Sequence, residues 1–244
     1  CYNILNPHVK YLCKEDRIIY RVIALDLLRF AAIVGMIIFH ILYDLANFYH
    51  LPIPYDSGWL NIYRLIAIAG AFIFAGGWSS ALQNDNLPAV LRLGLTAVLV
   101  SAVTYLLFGT QWIRFGILHL LFSCKLLHYM LRIRSLRFCL LISSASFLAA
   151  LYTPTIIISN NYWAALNITA TDFQTLDHYP LLPWLGVFYL GVAFGQSRYA
   201  PTPTAINDCS PYLCRLLTVS RHSLLIYLLH QPLILAVLYL CPGI

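Results

Sequence analysis

Seven apolar runs, most close to the 20 or so residues that a helix needs to cross a hydrocarbon core of about 30 Å, leave this chain few folds. They lie at about Val22–Tyr43, Leu60–Leu82, Ala89–Phe108, Phe115–Leu131, Leu136–Tyr152, Leu181–Gly195 and Ser223–Leu240. Of the 244 residues, 61% are hydrophobic and 10% charged, where a soluble domain carries about 45–50% and 25%. A soluble globule could not cover itself with so few charges. Composition therefore excludes an ordinary soluble domain, a disordered chain and a nucleic-acid binder. The expected fold is all-α: a polytopic transmembrane helical bundle of about seven spans. Residues 1–20 read as an N-terminal segment and residues 21–244 as the transmembrane domain.

The basic residues set the orientation. Lys10, Lys14, Arg17 and Arg21 precede the first run, and Arg92 stands near the start of the third. Arg132, Arg134 and Arg137 separate the fourth and fifth, and Arg198, Arg215 and Arg221 the sixth and seventh. The alternate loops hold almost no cations, with Arg64 and Arg114 the exceptions at run edges. This alternation predicts a cytoplasmic N-terminus and an outside C-terminus. Pro88 and Pro180 stand just before run starts, where proline is tolerated. The stretch from Thr153 to Tyr179 has no strong period and reads as the longest loop. No secretory signal pattern is visible, because the first apolar run carries Asp26 and Arg29. The seven cysteines do not form a disulfide framework by number or placement. Cys209 and Cys214, in a loop read as cytoplasmic, are expected to be reduced.

Function must then lie in the polar residues kept inside the apolar runs. The first run carries Asp26, Arg29, His40 and Asp44 on one stripe of about 120°. A charge at that depth costs several kcal/mol unless it meets a partner or water, so the stripe faces inward. Asp44, one turn beyond His40, is placed to hold the imidazole in one tautomer, which suits a general base. The bland alternative is an Asp26–Arg29 ion pair and a His40 that bonds a neighbouring helix.

The seventh run begins Ser223-Leu-Leu-Ile-Tyr227-Leu-Leu-His230-Gln231-Pro232. Ser223, Tyr227, His230 and Gln231 share one face, and Pro232 frees a carbonyl behind it. Such a face lines a cavity or bonds another helix. In the fourth run His119 lies a turn deeper than Arg114, and both are expected to meet His40 and Asp44 at the outer mouth. Headgroup anchoring is the alternative for Arg114. No metal-ligand spacing, Walker loop or GxGxxG motif is present, so no metal is expected.

Several segments together resemble the prokaryotic membrane proteins with a heparan-α-glucosaminide N-acetyltransferase-like catalytic domain, within the transmembrane acyltransferases. They are Leu25-Asp26-Leu-Leu28-Arg29, Phe39-His40-Ile-Leu-Tyr43-Asp44, Phe72-Ile-Phe74-Ala-Gly76-Gly-Trp-Ser79, Arg114-Phe-Gly116-Ile-Leu-His119, Asp177-His-Tyr-Pro180-Leu-Leu-Pro183-Trp184 and Arg221-His222-Ser223 through Pro232. The likeness runs from about Arg21 to the C-terminus. Phe30 departs from the glycine expected there, which bears on local helix packing.

The resemblance implies acetyl transfer from acetyl-CoA, as cosubstrate, to an amino sugar or cell-envelope glycan. It implies a catalytic histidine after the first run, for which His40 is the candidate and His50 the alternative. Acetyl transfer needs a base and oxyanion donors, so His40 reads as base or acetyl carrier, Asp44 as orienting it, and His119 and His230 as further catalytic candidates. Arg29, Arg114 and Arg221, with His222, Ser223, Tyr227 and Gln231, form the candidate acetyl-CoA-binding set. The expected setting is a prokaryotic inner membrane, with the lipid bilayer as partner and a homodimer compatible with it. The competing readings are a sugar O-acyltransferase of the same superfamily and a small transporter of envelope intermediates. Neither an internal repeat nor paired broken helices favours the transporter.

Overall fold

A computed structural model describes residues 19–82, 86–153, 160–206 and 210–240. In chain order the elements are β1 (Ile19–Arg21), α1 (Ile23–Phe48), α2 (Gly58–Tyr63), a π-helical segment (Arg64–Gly70), α3 (Ala71–Leu82), α4 (Leu87–Phe108), α5 (Ile117–Leu131), α6 (Leu136–Ala150), α7 (Leu181–Gln196), β2 (Thr204–Ile206), α8 (Pro211–Arg221) and α9 (Ser223–Leu240). All seven apolar runs are helical where the sequence predicts. Four helical stretches are long and apolar enough to cross a membrane: Ile23–Phe48, Gly58–Leu82, Leu87–Gln111 and Ser223–Leu240. The helices α5, α6 and α7 are apolar but shorter, at 15, 15 and 16 residues, which is about 22–24 Å of helix. The architecture is that of an all-α membrane protein.

Large apolar side chains point outward, Leu95 72% exposed and Leu106 81%. In water that would be costly. In lipid, helices have no hydrophobic reason to hide such groups, and packing falls to small residues and polar contacts.

The chain forms two compact units, one of Cys1–Phe72 with Pro201–Ile244 and the other of Ile73–Ala200. In the first, α1 packs against α8, α9 and the π-helical segment. β1 and β2 pair antiparallel, Tyr20 opposite Ala205. This two-stranded ribbon, three residues to a strand, and the polar helix α8 are additions to the expected all-helical plan. Ser210 caps α8, its Oγ accepting from the Leu213 N–H at 3.3 Å, and Pro211 occupies the first turn. The expectation of a reduced Cys214 is corrected: it is disulfide-bonded. Pairing depends on how the chain folds back in space, which cysteine spacing does not encode; Cys209 lies outside the described residues.

In the second unit α6 and α7 form the most extensive helix contact, and α4 packs on α5. Gly77 of α3 and Gly191 of α7 bring two backbones together. A Cβ on Gly77 would overlap the carbonyl oxygen of Phe188, and one on Gly191 that of Phe74. Ser143 and Ser146 of α6 bond backbone groups of α7, Ser143 Oγ donating to Gly186 O at 3.0 Å and Ser146 Oγ accepting from Gly186 N at 3.0 Å. The described part of the long loop is ordered by pairing with the strand-like stretch before α5. Leu176 N donates to Gln111 O at 3.0 Å, Tyr179 N to Phe115 O at 2.9 Å, and Thr175 Oγ1 to Trp112 O at 2.8 Å.

Candidate functional site

The first unit gathers a polar cluster where α1 meets α9 and the π-helical segment. The imidazoles of His40 and His230 lie edge to face, with ring centroids 4.7 Å apart. His230 is buried. Its Nδ1 is 2.6 Å from the Tyr227 carbonyl oxygen. A carbonyl only accepts, so Nδ1 carries the proton and the neutral ring presents a bare Nε2. That Nε2 is buried without a hydrogen-bond partner, as is Nδ1 of His40. Two imidazoles with unused ring nitrogens, side by side in an apolar helix contact, are equipped for proton transfer.

Asp44 is fully buried and accepts from the Gln231 amide through both oxygens, at 3.0 and 2.9 Å. No hydrogen bond joins it to His40; its partner lies on α9. The i, i+4 spacing made a direct bond to His40 available, and the amide across the helix contact is the partner actually reached. Tyr43 packs on His40 and on Tyr55, with centroids 6.4 and 4.8 Å away. Pro232 supplies no N–H to the Leu228 carbonyl behind this cluster.

The π-helical segment delivers a further group. Such segments are uncommon and frequent at functional sites. Arg64, its first residue, places its guanidinium 5.8 Å from the centroid of the Phe39 ring and donates from Nη2 to Asn61 Oδ1 at 2.8 Å. Gly35 permits this approach: a Cβ there would lie 2.7 Å from Tyr63 Oη and 3.2 Å from Ile68 Cγ1. The sequence marked Arg64 as a cation out of place, without the reason.

Asp26, at the other end of α1, has structural partners. It accepts from Arg21 Nη2 at 2.8 Å and from Ser220 Oγ at 2.7 Å, and Arg21 Nη1 also reaches Leu217 O at 3.4 Å. Arg29 lies farther from it, at 4.0 Å. The tighter ion pair is thus Arg21–Asp26, which ties α8 to the start of α1. Arg221 and His222 are exposed where α8 ends, and His222 Nδ1 donates to the Thr218 carbonyl at 2.9 Å. Ser223 opens α9, and Tyr227 stacks obliquely on His230 at 5.6 Å.

His119 and Arg114 belong to the second unit. The Gly116 N–H donates to His119 Nδ1 at 3.3 Å. The neutral ring therefore bears its proton on Nε2, which donates to Ser101 Oγ at 3.0 Å, and Ser101 Oγ donates in turn to Ile113 O at 2.7 Å. Both nitrogens serve the start of α5, where Asp177 Oδ2 also accepts from Ile117 N at 3.2 Å. An acidic cap there suits the positive end of the helix dipole. The Arg114 guanidinium lies 5.8 Å from the Trp112 ring and 5.5 Å from that of Phe173. His178 packs on Phe173 with both ring nitrogens buried and without partners, and burial holds its pKa below the usual value. Sequence reasoning missed His178 inside an aperiodic loop. It also missed Lys125, whose ammonium donates to Ser80 Oγ at 2.7 Å from within an apolar helix. No cluster of three or more metal-ligating side chains occurs among the described residues.

Residues 21–232 match the family described as heparan-alpha-glucosaminide N-acetyltransferase, catalytic. No curated protein and no solved structure matches the chain.

Proposed function

Because the chain belongs to the heparan-alpha-glucosaminide N-acetyltransferase catalytic family and is an integral membrane, acetyltransferase-like protein, we propose that it moves an acetyl group from acetyl-CoA to the amine of an amino sugar or cell-envelope glycan. The observation that carries this reading beyond the family match is the His40–His230 pair, 4.7 Å between centroids.

In the proposed reaction the acceptor nitrogen attacks the thioester carbonyl carbon, and a C–N bond forms. One imidazole of the pair takes the amine proton as that bond closes. The tetrahedral intermediate then collapses, the C–S bond breaks, and the CoA thiolate leaves with a proton returned from the pair. His40 is the proposed base, or carries the acetyl group between two half-reactions. His230, with its tautomer set by the Tyr227 carbonyl, offers Nε2 as the second proton acceptor. Asp44 acts as a positioning residue: its bond to Gln231 fixes α9 against α1 one residue from His230 and one turn from His40.

His119 is assigned to capping α5, since both its nitrogens are engaged there. For the donor phosphates the proposed contacts are Arg29 and Arg221, with His222 and Ser223 beside them, because an Arg fork matches phosphate geometry. Arg114 is occupied by two aromatic faces. Seven spans, a cytoplasmic N-terminus and a prokaryotic inner membrane complete the proposal.

The test is acetyl transfer by the purified protein in nanodiscs, with acetyl-labelled acetyl-CoA and either glucosamine or an N-blocked sugar as acceptor. Label on glucosamine alone supports N-transfer. Label on the N-blocked sugar moves the assignment to the O-acyltransferase reading. Folded protein that neither binds acetyl-CoA nor turns over contradicts both.

A further inference from the structure

Arg64 presents a charge that no carboxylate among the described residues balances. Its guanidinium lies within an apolar helical stretch, Gly58–Leu82, and is partly buried. Nε is buried and has no hydrogen-bond partner. Nη2 reaches the amide oxygen of Asn61, and Phe39 offers a ring face; neither is an anion. Arg64 has no carboxylate within ion-pair distance among the described residues. A cation at helix depth is expensive and as a rule pairs or lines a wet cavity. Its fork of donors matches a carboxylate, sulfate or phosphate.

Its place in the unit is equally specific. Arg64 and His40 flank the same Phe39 ring, the Arg64 Cζ at 5.8 Å and the His40 ring at 5.9 Å from its centroid. A group held by Arg64 thus shares the Phe39 ring with the His40 imidazole. Being the first residue of the π-helical segment sets the direction of its side chain, and Asn61, one turn earlier, steadies the fork.

We propose that Arg64, supported by Asn61, is an oxyanion-binding subsite beside the His40–His230 pair, and that the ligand bound there carries an acidic group. This rests on the acetyl-transfer reading for the identity of the ligand, but not for the existence of the subsite. Two sources share the chemistry: an acid group on the acceptor glycan, and the phosphates of CoA.

The experiment is ligand binding by the full chain in nanodiscs, which needs no turnover. Inorganic sulfate, glucosamine 6-sulfate, glucosamine and CoA are titrated against wild type, Arg64→Gln and Arg64→Lys, with melting temperature without ligand and elution profile as controls for folding. Wild type is expected to bind sulfate and to prefer glucosamine 6-sulfate over glucosamine. Arg64→Gln is expected to weaken oxyanion binding by about tenfold or more, the usual worth of a charge-assisted hydrogen bond, and Arg64→Lys by less. A loss confined to glucosamine 6-sulfate assigns the subsite to an acidic acceptor, and a loss confined to CoA assigns it to the donor. Equal oxyanion affinity in wild type and Arg64→Gln, or no oxyanion binding by wild type, overturns the subsite. If Arg64→Gln does not fold, Arg64→Lys decides: unchanged affinity for every anion overturns the proposal, and selective weakening supports it. Binding that depends on Arg64 without acetyl transfer would leave the subsite standing and remove the acetyl-transfer reading.

Discussion

The side-chain amide of Gln231 donates to both carboxylate oxygens of Asp44, at 3.0 and 2.9 Å. Asp44 is one turn from His40 and Gln231 is the neighbour of His230, so one polar link sets the register in which the two imidazoles meet. Removing the donor leaves a fully buried carboxylate without its amide. Gln231→Leu is expected to cost about 2 kcal/mol of stability, read as a lowered melting temperature in nanodiscs. Asp44→Asn, which keeps an acceptor oxygen, is expected to cost less.

Asp26 holds α8 to the start of α1 through Arg21 and Ser220. Asp26→Ala strands a part-buried guanidinium and a buried hydroxyl, and about 3 kcal/mol of stability should be lost. Acetyl transfer per folded molecule should hold near the wild-type level. A folded Asp26→Ala protein without activity would place Asp26 among the reacting groups instead.

His178 lies outside the membrane-spanning helices, and burial lowers its pKa from the ordinary 6.5. On acidification the unfolded chain binds a proton at this residue before the folded chain does. Its share of stability is therefore complete above about pH 6.5 and falls as pH drops toward the lowered folded value, by at most about 1.4 kcal/mol per pH unit. Melting temperatures from pH 8 to pH 5 should fall more steeply for wild type than for His178→Phe. Parallel curves would show that His178 does not contribute this dependence.

Gly77 and Gly191 allow α3 and α7 to meet backbone to backbone. Gly77→Ala forces a methyl into the Phe188 carbonyl and Gly191→Ala one into that of Phe74. Either should cost about 3 kcal/mol and reduce the monodisperse fraction on size-exclusion chromatography. Gly109→Ala, where the added Cβ meets no atom within 4 Å, is the control for a solely conformational effect at a positive φ of 56°.

Much of the fold was legible because lipid makes it so. A helix in hydrocarbon announces itself by length and apolarity alone, and the apolar runs from Val22 to Leu240 coincide with helices to within a few residues. The same solvent explains what stayed hidden. The polar helix α8 interrupts a stretch read as loop, and its cue was the Ser210-Pro211 start. The order of the 174–179 segment comes from backbone pairing with residues 111–115, which side-chain patterns do not encode. Within the cluster, helical spacing put His40 and Asp44 on one stripe but could not choose between a bond along α1 and one across to Gln231. The stripe on α9 gave His230, while its tautomer needed the 2.6 Å distance to Tyr227 O. Arg64 was visible only as an exception to the charge pattern.

The most direct measurement is acetyl-CoA-dependent acetylation of glucosamine by the nanodisc-embedded protein, comparing wild type with His40→Ala and His230→Ala at matched folded concentration. The account predicts transfer by wild type, loss of 10²-fold or more in His40→Ala, as expected for a positioned base, and a marked loss in His230→Ala. Wild-type rates in His40→Ala would contradict it.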